Sequence, residues 1–236
     1  MADSPMRNRL LEAASGPAAD ALKGALTRVE LEQGQTLYER GEAITRLYFP
    51  ETAIVSIVGV FRDGGMNEMA TVGREGMTGV GVVMGGRSAI NHTIVQMRGA
   101  AWMVDREAVT EALAADEALS DLFLRYARAF MGQVMQTVAC NSAHDTGARC
   151  ARWLLMSHDR SDGDTFPLTQ EFLAQMLAVH RPTVTIIARQ LQTAGLIRYS
   201  RGSITITDRP GLEEATCECY HGIREQYARR LPYGFA

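Results

Sequence analysis

"LTQEFLAQMLAVHRPTVTIIARQLQTAGLIRYSRGSITITD", residues 168–208, carries two apolar helical stripes with a proline where they meet. Thr169 is placed to cap a first helix, with Glu171 in its positive first turn and Leu173, Met176 and Leu177 on one face. The pattern breaks at Ala178-Val179-His180 and resumes with Val184, Ile187, Ala188 and Leu191. Inside a helix Pro182 would cost about 3 kcal/mol, but in a first turn its missing N–H costs little. It therefore marks a helix start, beside His180, a mediocre cap. Two helices separated by three or four residues form a helix-turn-helix.

The second helix stops at Gly195, followed by an apolar contact from Leu196. "LIRYSRGSITITD" then alternates about Gly202 as a small hairpin, which completes a winged module. In such a module the second helix lays its N-terminal residues in the major groove while the wing meets backbone phosphates. Arg181, Thr185 and Arg189 lie off the apolar stripe, and Arg198 and Arg201 sit on the wing. Arginine suits both guanine edges and phosphate. The candidate DNA contacts are Thr169, His180, Arg181, Thr183, Thr185, Arg189 and Arg201.

Composition narrows the alternatives. The chain has 236 residues, 46% hydrophobic and 22% charged, with a net charge of −3. Between 145 and 209, however, eight arginines outnumber six acids, so an anionic partner is expected there. Lys23 is the single lysine, and no GxxxxGK[ST] phosphate loop surrounds it. The apolar run Ala53–Phe61 is far short of the ~20 residues of a membrane helix. No signal-peptide layout is read at the N-terminus, so a cytoplasmic location, no membrane association and reduced thiols at Cys140, Cys150, Cys217 and Cys219 are expected.

Upstream, residues 28–105 read as short strands: 28–31, 35–38, 46–49, 53–61, 66–72, 91–97 and 99–105. Asp63-Gly64-Gly65 marks a hairpin. The first 26 residues look helical. From Leu119, two apolar rows run four residues apart: Leu122, Tyr126, Phe130, Val134, Val138 and Leu119, Phe123, Ala127, Met131, Met135. Together they are broad enough to cover the β-domain on one side and a second copy on the other. Leu122, Phe123, Tyr126, Phe130 and Val134 are the candidate dimer contacts. A further helix is expected from Asp145 to about His158, and "DRSDGDTFP" reads as a loop.

With "LYERGEAITRLYFPETAIVSIV" (37–58) and "VGREGMTG" (72–79) added to the helix-turn-helix, residues 22–212 resemble the Crp/Fnr family of bacterial transcription regulators. The likeness is greatest to a subgroup with "YFPE" and a terminal "CECY". The resemblance implies an α+β chain: an N-terminal double-stranded, jelly-roll-like β-roll related to cyclic-nucleotide-binding domains (22–118), a dimerisation helix (119–143), a winged helix-turn-helix (144–212) and a helical tail (213–236). It implies a homodimer on palindromic double-stranded DNA, and RNA polymerase as a partner if the protein activates.

Departures from the family shape the ligand expectations. Relatives that bind cyclic AMP hold the ribose with a Gly-Glu pair and the phosphate with an Arg-Ser pair. Here Val80 follows Gly79, and only Arg87-Ser88 matches the second pair, so cyclic AMP is not expected and the effector is unidentified. Gly79, Arg87 and Ser88 remain the candidate effector contacts. No cysteine precedes Cys140, so an iron–sulfur cluster of the family's N-terminal kind lacks ligands. His92, alone on a strand, reads as structural. Cys217, Cys219 and His221 read as split across helix faces, and His144 near Cys140 as incidental surface, so no metal site is expected. Pro182 and Ile186 occupy positions where relatives carry polar base-reading groups, which implies a different operator. A sensor whose winged helix contacts protein, and a small Cys/His enzyme, are the rival readings.

Overall fold

Alternating apolar residues broken by Gly- and Pro-containing turns fold residues 27–105 into two antiparallel sheets. The structure is a computed structural model and describes residues 6–235. Strands β1 (Thr27–Leu31), β3 (Arg46–Pro50) and β7 (Gly99–Asp105) form one sheet in the order β1-β7-β3. Strands β2 (Thr36–Tyr38), β4 (Ile54–Val60), β5 (Met66–Val72) and β6 (His92–Met97) form the other, in the order β2-β6-β4-β5. Each sheet thus joins strands from both ends of the domain, as a roll requires. The β4–β5 hairpin turns at Gly64 (φ 82°), with the Asp63 carboxylate accepting the Gly65 N–H at 2.9 Å. Two short helices precede the roll, α1 (Arg9–Ala13) and α2 (Pro17–Gly24). The helical expectation for the first 26 residues lies outside the described residues where it covers 1–5.

Helix α3 (Arg106–Ala115) leads into α4 (Glu117–Ala143), whose N-terminus is held by the Asp116 carboxylate accepting the Leu119 N–H at 3.0 Å. One face of α4 closes the roll. Phe123 meets Phe49 edge-on with ring centroids 6.2 Å apart, and the Tyr126 hydroxyl donates to the Met77 carbonyl at 3.0 Å. A side chain at Gly76 would put its Cβ 2.0 Å from the Tyr126 ring, so close approach demands glycine there. Each of these buried aromatics contributes about 1.5–3 kcal/mol of apolar burial.

That packing corrects the expected dimer contacts. Leu122, Phe123 and Tyr126 are buried inside their own chain, so they are unavailable to a partner. Phe130 and Val134 face a cavity between α4 and the roll. The exposed row of α4 is instead Leu124, Met131, Met135 and Val138, with Met135 at 64% and Val138 at 62% exposure. Both rows pass from buried at their start to exposed at their end, so neither row alone marks the inward face.

Helices α5 (Thr146–Arg160), α6 (Gln170–Leu177) and α7 (Arg181–Thr193) carry the second half, with a three-stranded sheet of β8 (Thr165–Pro167), β9 (Ile197–Ser200) and β10 (Ser203–Ile206) in the order β8-β10-β9. Strand β8 falls in the segment expected to be a loop; three residues that follow Gly163-Asp164 become a strand only by pairing with distant β10. Helices α8 (Arg209–Ala215) and α9 (Cys219–Ala228) fold back, α9 lying along α4 with the Tyr227 hydroxyl donating to Gln133 Oε1 at 3.0 Å.

The winged module is docked on the roll by a buried polar network. Arg160 Nη2 meets Glu75 Oε1 at 2.7 Å with neither side chain accessible, and Gln96 Nε2 donates to Ser157 Oγ at 2.9 Å. Glu75 also accepts the Gly73 N–H, so the "VGREGMTG" motif serves domain docking as well as the roll.

Candidate nucleic-acid interface

Thr169 caps α6, its hydroxyl oxygen accepting the Phe172 N–H at 3.1 Å. Ala178 takes the left-handed conformation (φ 54°), and the Val179 N–H returns to the Ala174 carbonyl at 3.0 Å, closing the helix end. Helix α7 then starts at Arg181 with Pro182 in its first turn. His180 occupies the cap without a side-chain bond to the helix, which leaves its ring exposed.

Val184, Ile187, Ala188 and Leu191 bury one face of α7. The opposite face presents Arg181, Thr185, Ile186 and Arg189 to solvent, with Thr183 half-buried between them. The Thr185 hydroxyl donates to Gln170 Oε1 at 2.8 Å, which ties α7 to α6 and fixes their crossing; Gln170 was not singled out from the sequence because a glutamine in a first turn carries no pattern. The helix ends at Gly195 (φ 77°), with the Leu196 N–H reaching the Leu191 carbonyl at 3.0 Å.

At the wing, Arg201 (φ 48°) and Gly202 (φ 79°) are both left-handed, the pattern of a tight two-residue hairpin turn. The turn thrusts the Arg201 side chain outward. The Tyr199 hydroxyl donates to the Leu168 carbonyl, anchoring the wing to the start of α6. Burial pushes the Tyr199 phenol up to about 12, so it stays a protonated donor. Helix α7 and the wing strands hold arginines and neither Asp nor Glu, giving a locally positive surface on an acidic chain.

Residues 148–215 match the family model described as a Crp-like helix-turn-helix domain, and residues 28–116 the one described as a cyclic nucleotide-binding domain. The chain belongs to the Crp/Fnr family of transcription regulators. A relative from Mycobacterium tuberculosis, named a CRP-like cAMP-activated global transcriptional regulator, is 28% identical over 200 residues, spanning 81% of this chain and 88% of its own. FixK2 from Bradyrhizobium japonicum shares the fold with a TM-score of 0.65 at 17% identity, over 81% of this chain and 98% of its own. A CRP-family transcriptional regulator from Thermus thermophilus does so with a TM-score of 0.66 at 21% identity, over 79% and 95%. This regulator is thus a DNA-binding protein of the Crp type, built from an N-terminal β-roll, a long helix and a C-terminal helix-turn-helix. No helix among the described residues is long and apolar enough to cross a membrane.

In the roll of this Crp/Fnr protein a cavity of about 220 Å³ opens between the 3-10 turn Val80–Met84, strands β2, β4 and β6, and helix α4. Gly79 and Ser88 line it. Arg87 does not; its side chain is exposed, which corrects its place among the effector contacts. Gly79 is left-handed (φ 67°), and a Cβ there would stand 2.3 Å from Leu47, so its backbone supports the wall. Among the described residues none lining the cavity is charged.

The tail departs furthest from expectation. Cys217 lies in the turn between α8 and α9, not on a helix, and Cys219 opens α9. They meet Cys140 and His144 from the end of α4: the four ligand atoms lie within 4.8 Å of one another. This corrects the expectation that Cys217 and Cys219 are split across the faces of a helix and that His144 is incidental surface. His221 points to solvent against the Tyr220 ring and takes no part. The available signal was the spacing of Cys140 and His144, four residues apart and so on one helix face.

Proposed function

We propose that this regulator binds a palindromic DNA site as a homodimer, Arg181 reading a base edge and Arg201 meeting phosphate at the wing. The observation that carries the reading is the polarity of α7: four apolar side chains turned inward, and Arg181, Thr185, Ile186 and Arg189 outward with no acid among them. Thr169, at the exposed N-terminus of α6, supplies a further backbone contact, with His180 and Thr183 at the groove edge. Ile186 meets thymine methyls and cannot hydrogen-bond, so the operator differs from that of relatives with a polar residue there.

The second copy docks on the row Leu124, Met131, Met135 and Val138 of α4, setting two recognition helices about one DNA turn apart. The division is a sensor roll at 22–118, a dimerising helix at 119–143, a DNA-binding module at 144–212 and a tail at 213–236. The sensed ligand is small and uncharged, because the cavity offers hydroxyls and apolar walls and no cation for a cyclic phosphate. Since Phe130 and Val134 line that cavity from the dimerising helix, ligand binding bears directly on α4. The setting is cytoplasmic, with RNA polymerase as partner at activated promoters.

Footprinting of genomic DNA with the purified protein tests this reading. Protection of two-fold symmetric sites with half-sites about 10 base pairs apart is expected. Binding with no sequence preference at any salt concentration would refute it.

A further inference from the structure

The four groups gathered at the end of α4 are three thiols and an imidazole, all within 4.8 Å of one another. Cys140 Sγ and Cys217 Sγ are 3.5 Å apart, and Cys219 Sγ and His144 Nδ1 are 3.6 Å apart. A tetrahedral zinc ion with Zn–S bonds near 2.3 Å and a Zn–N bond near 2.0 Å separates its ligands by about 3.5–3.8 Å. From these contacts we propose that Cys140, His144, Cys217 and Cys219 form a Cys3His zinc site. A polynuclear iron–sulfur cluster, with irons and bridging sulfides between the thiolates, demands a wider spread of ligands.

The surroundings are those of a metal site. Glu218 Oε2 lies 3.2 Å from His144 Nε2, while Nδ1 on the other edge of the ring faces Cys219 Sγ at 3.6 Å. Gln136 Nε2 donates to Cys219 Sγ at 3.1 Å, the hydrogen bond a metal-bound thiolate accepts. Zinc with three thiolates and a neutral imidazole carries one net negative charge. Arg152, buried at 5% exposure with its Nε lacking a hydrogen-bond partner and its Nη1 3.5 Å from Met156 Sδ, is a nearby cation shared between Cys140 and the buried Glu68. Binding releases the three thiol protons to solvent, so no oxidant is needed.

The position matters as much as the chemistry. His144 caps the C-terminus of α4, one residue before the Asp145 cap of α5. The ion therefore clasps the joint between the long helix and the DNA-binding module to the turn between α8 and α9.

The full-length protein, purified under reductant, is analysed for metals, then stripped and titrated with Co2+. The expected result is about one zinc per chain, and a cobalt form with thiolate charge-transfer and tetrahedral d–d bands. Glu218→Gln, on an exposed side chain that leaves folding intact, is expected to weaken zinc about 10- to 100-fold, and His221→Ala to leave it unchanged. Should Cys219→Ser fail to fold, the cobalt spectrum of the native chain and Glu218→Gln still decide. Absence of both zinc and cobalt bands overturns the proposal. So does acid-labile sulfide with visible iron–sulfur absorption, or a Cys140–Cys217 disulfide that persists in reductant.

Discussion

Arg160 on α5 and Glu75 on the roll face each other at 2.7 Å, and both side chains are fully inaccessible to solvent. Arg160 also donates to the Met156 carbonyl at 2.9 Å and stacks over the Phe235 ring at 4.6 Å, so its charge is enclosed on every side. A pair of this kind is weak evidence for stability in itself, because desolvation offsets most of its attraction. Its consequence is registration: the pair fixes where α5 meets the roll in this structure.

Removing one partner strands the other charge in the interior. Glu75→Gln or Arg160→Met alone is expected to destabilise by about 3–5 kcal/mol in urea unfolding. The double variant Glu75→Leu with Arg160→Met is expected to lose clearly less than the sum of the single losses. An additive double variant would show that the pair is not coupled.

In the turn of the helix-turn-helix, Ala178 stands where the backbone is left-handed (φ 54°). Its side chain is exposed, so nothing compensates the strain of its Cβ. Ala178→Gly is expected to stabilise by about 1 kcal/mol, read as a higher urea midpoint at an unchanged m-value. No change, or a loss, would show that the turn carries no strain at Ala178.

The helix-turn-helix was legible because its signals are local: a cap at Thr169, a proline at 182 and a glycine at 195 each act within a few residues. The roll strands were legible for the same reason, since alternation and turn glycines are short-range. What stayed hidden depends on which distant segment arrives. Strand β8 exists only through β10, and the inward face of α4 is set by the direction of the roll. Cys140 and His144 acquire meaning only when a turn 77 residues after Cys140 brings Cys217 to it. Burial of Arg160 beside Glu75, 85 residues apart, likewise has no local signature.

The exposed row of α4 predicts how dimers fail. Met135→Glu or Val138→Glu places a charge in the proposed seam and is expected to shift sedimentation toward monomer with folding retained. Leu122→Ala, inside the chain, is expected to cost about 2–5 kcal/mol of folding stability and leave the oligomer unchanged. The opposite pattern would restore Leu122 to the interface.

Arg181 and Arg201 separate base reading from phosphate contact. Arg181→Ala is expected to abolish the preference for the operator while leaving non-specific binding. Arg201→Ala is expected to weaken specific and random DNA alike, lowering the slope of log affinity against log salt by about 1. Equal losses on both DNAs for Arg181→Ala in salt-titrated gel shifts would remove it from base recognition.

Asp162 joins three parts of the chain, accepting from Arg7 at 2.5 Å and from Arg74 at 2.6 Å just beyond the end of α5. The Arg7 hydrogen bond, ahead of Arg74, holds its carboxyl down at about 2, from an ordinary value of 3.8. Because the folded form binds its proton more weakly than the unfolded form, its contribution is fully present above pH 4 and is lost as pH falls from about 4 to 2. The side chain is 44% exposed, so solvent screens part of that contribution. Asp162→Asn is expected to lower the melting temperature at pH 6 and to converge with the native protein as pH approaches 2. Parallel curves across that window would show that the Asp162 pairs contribute nothing to holding the module against the roll.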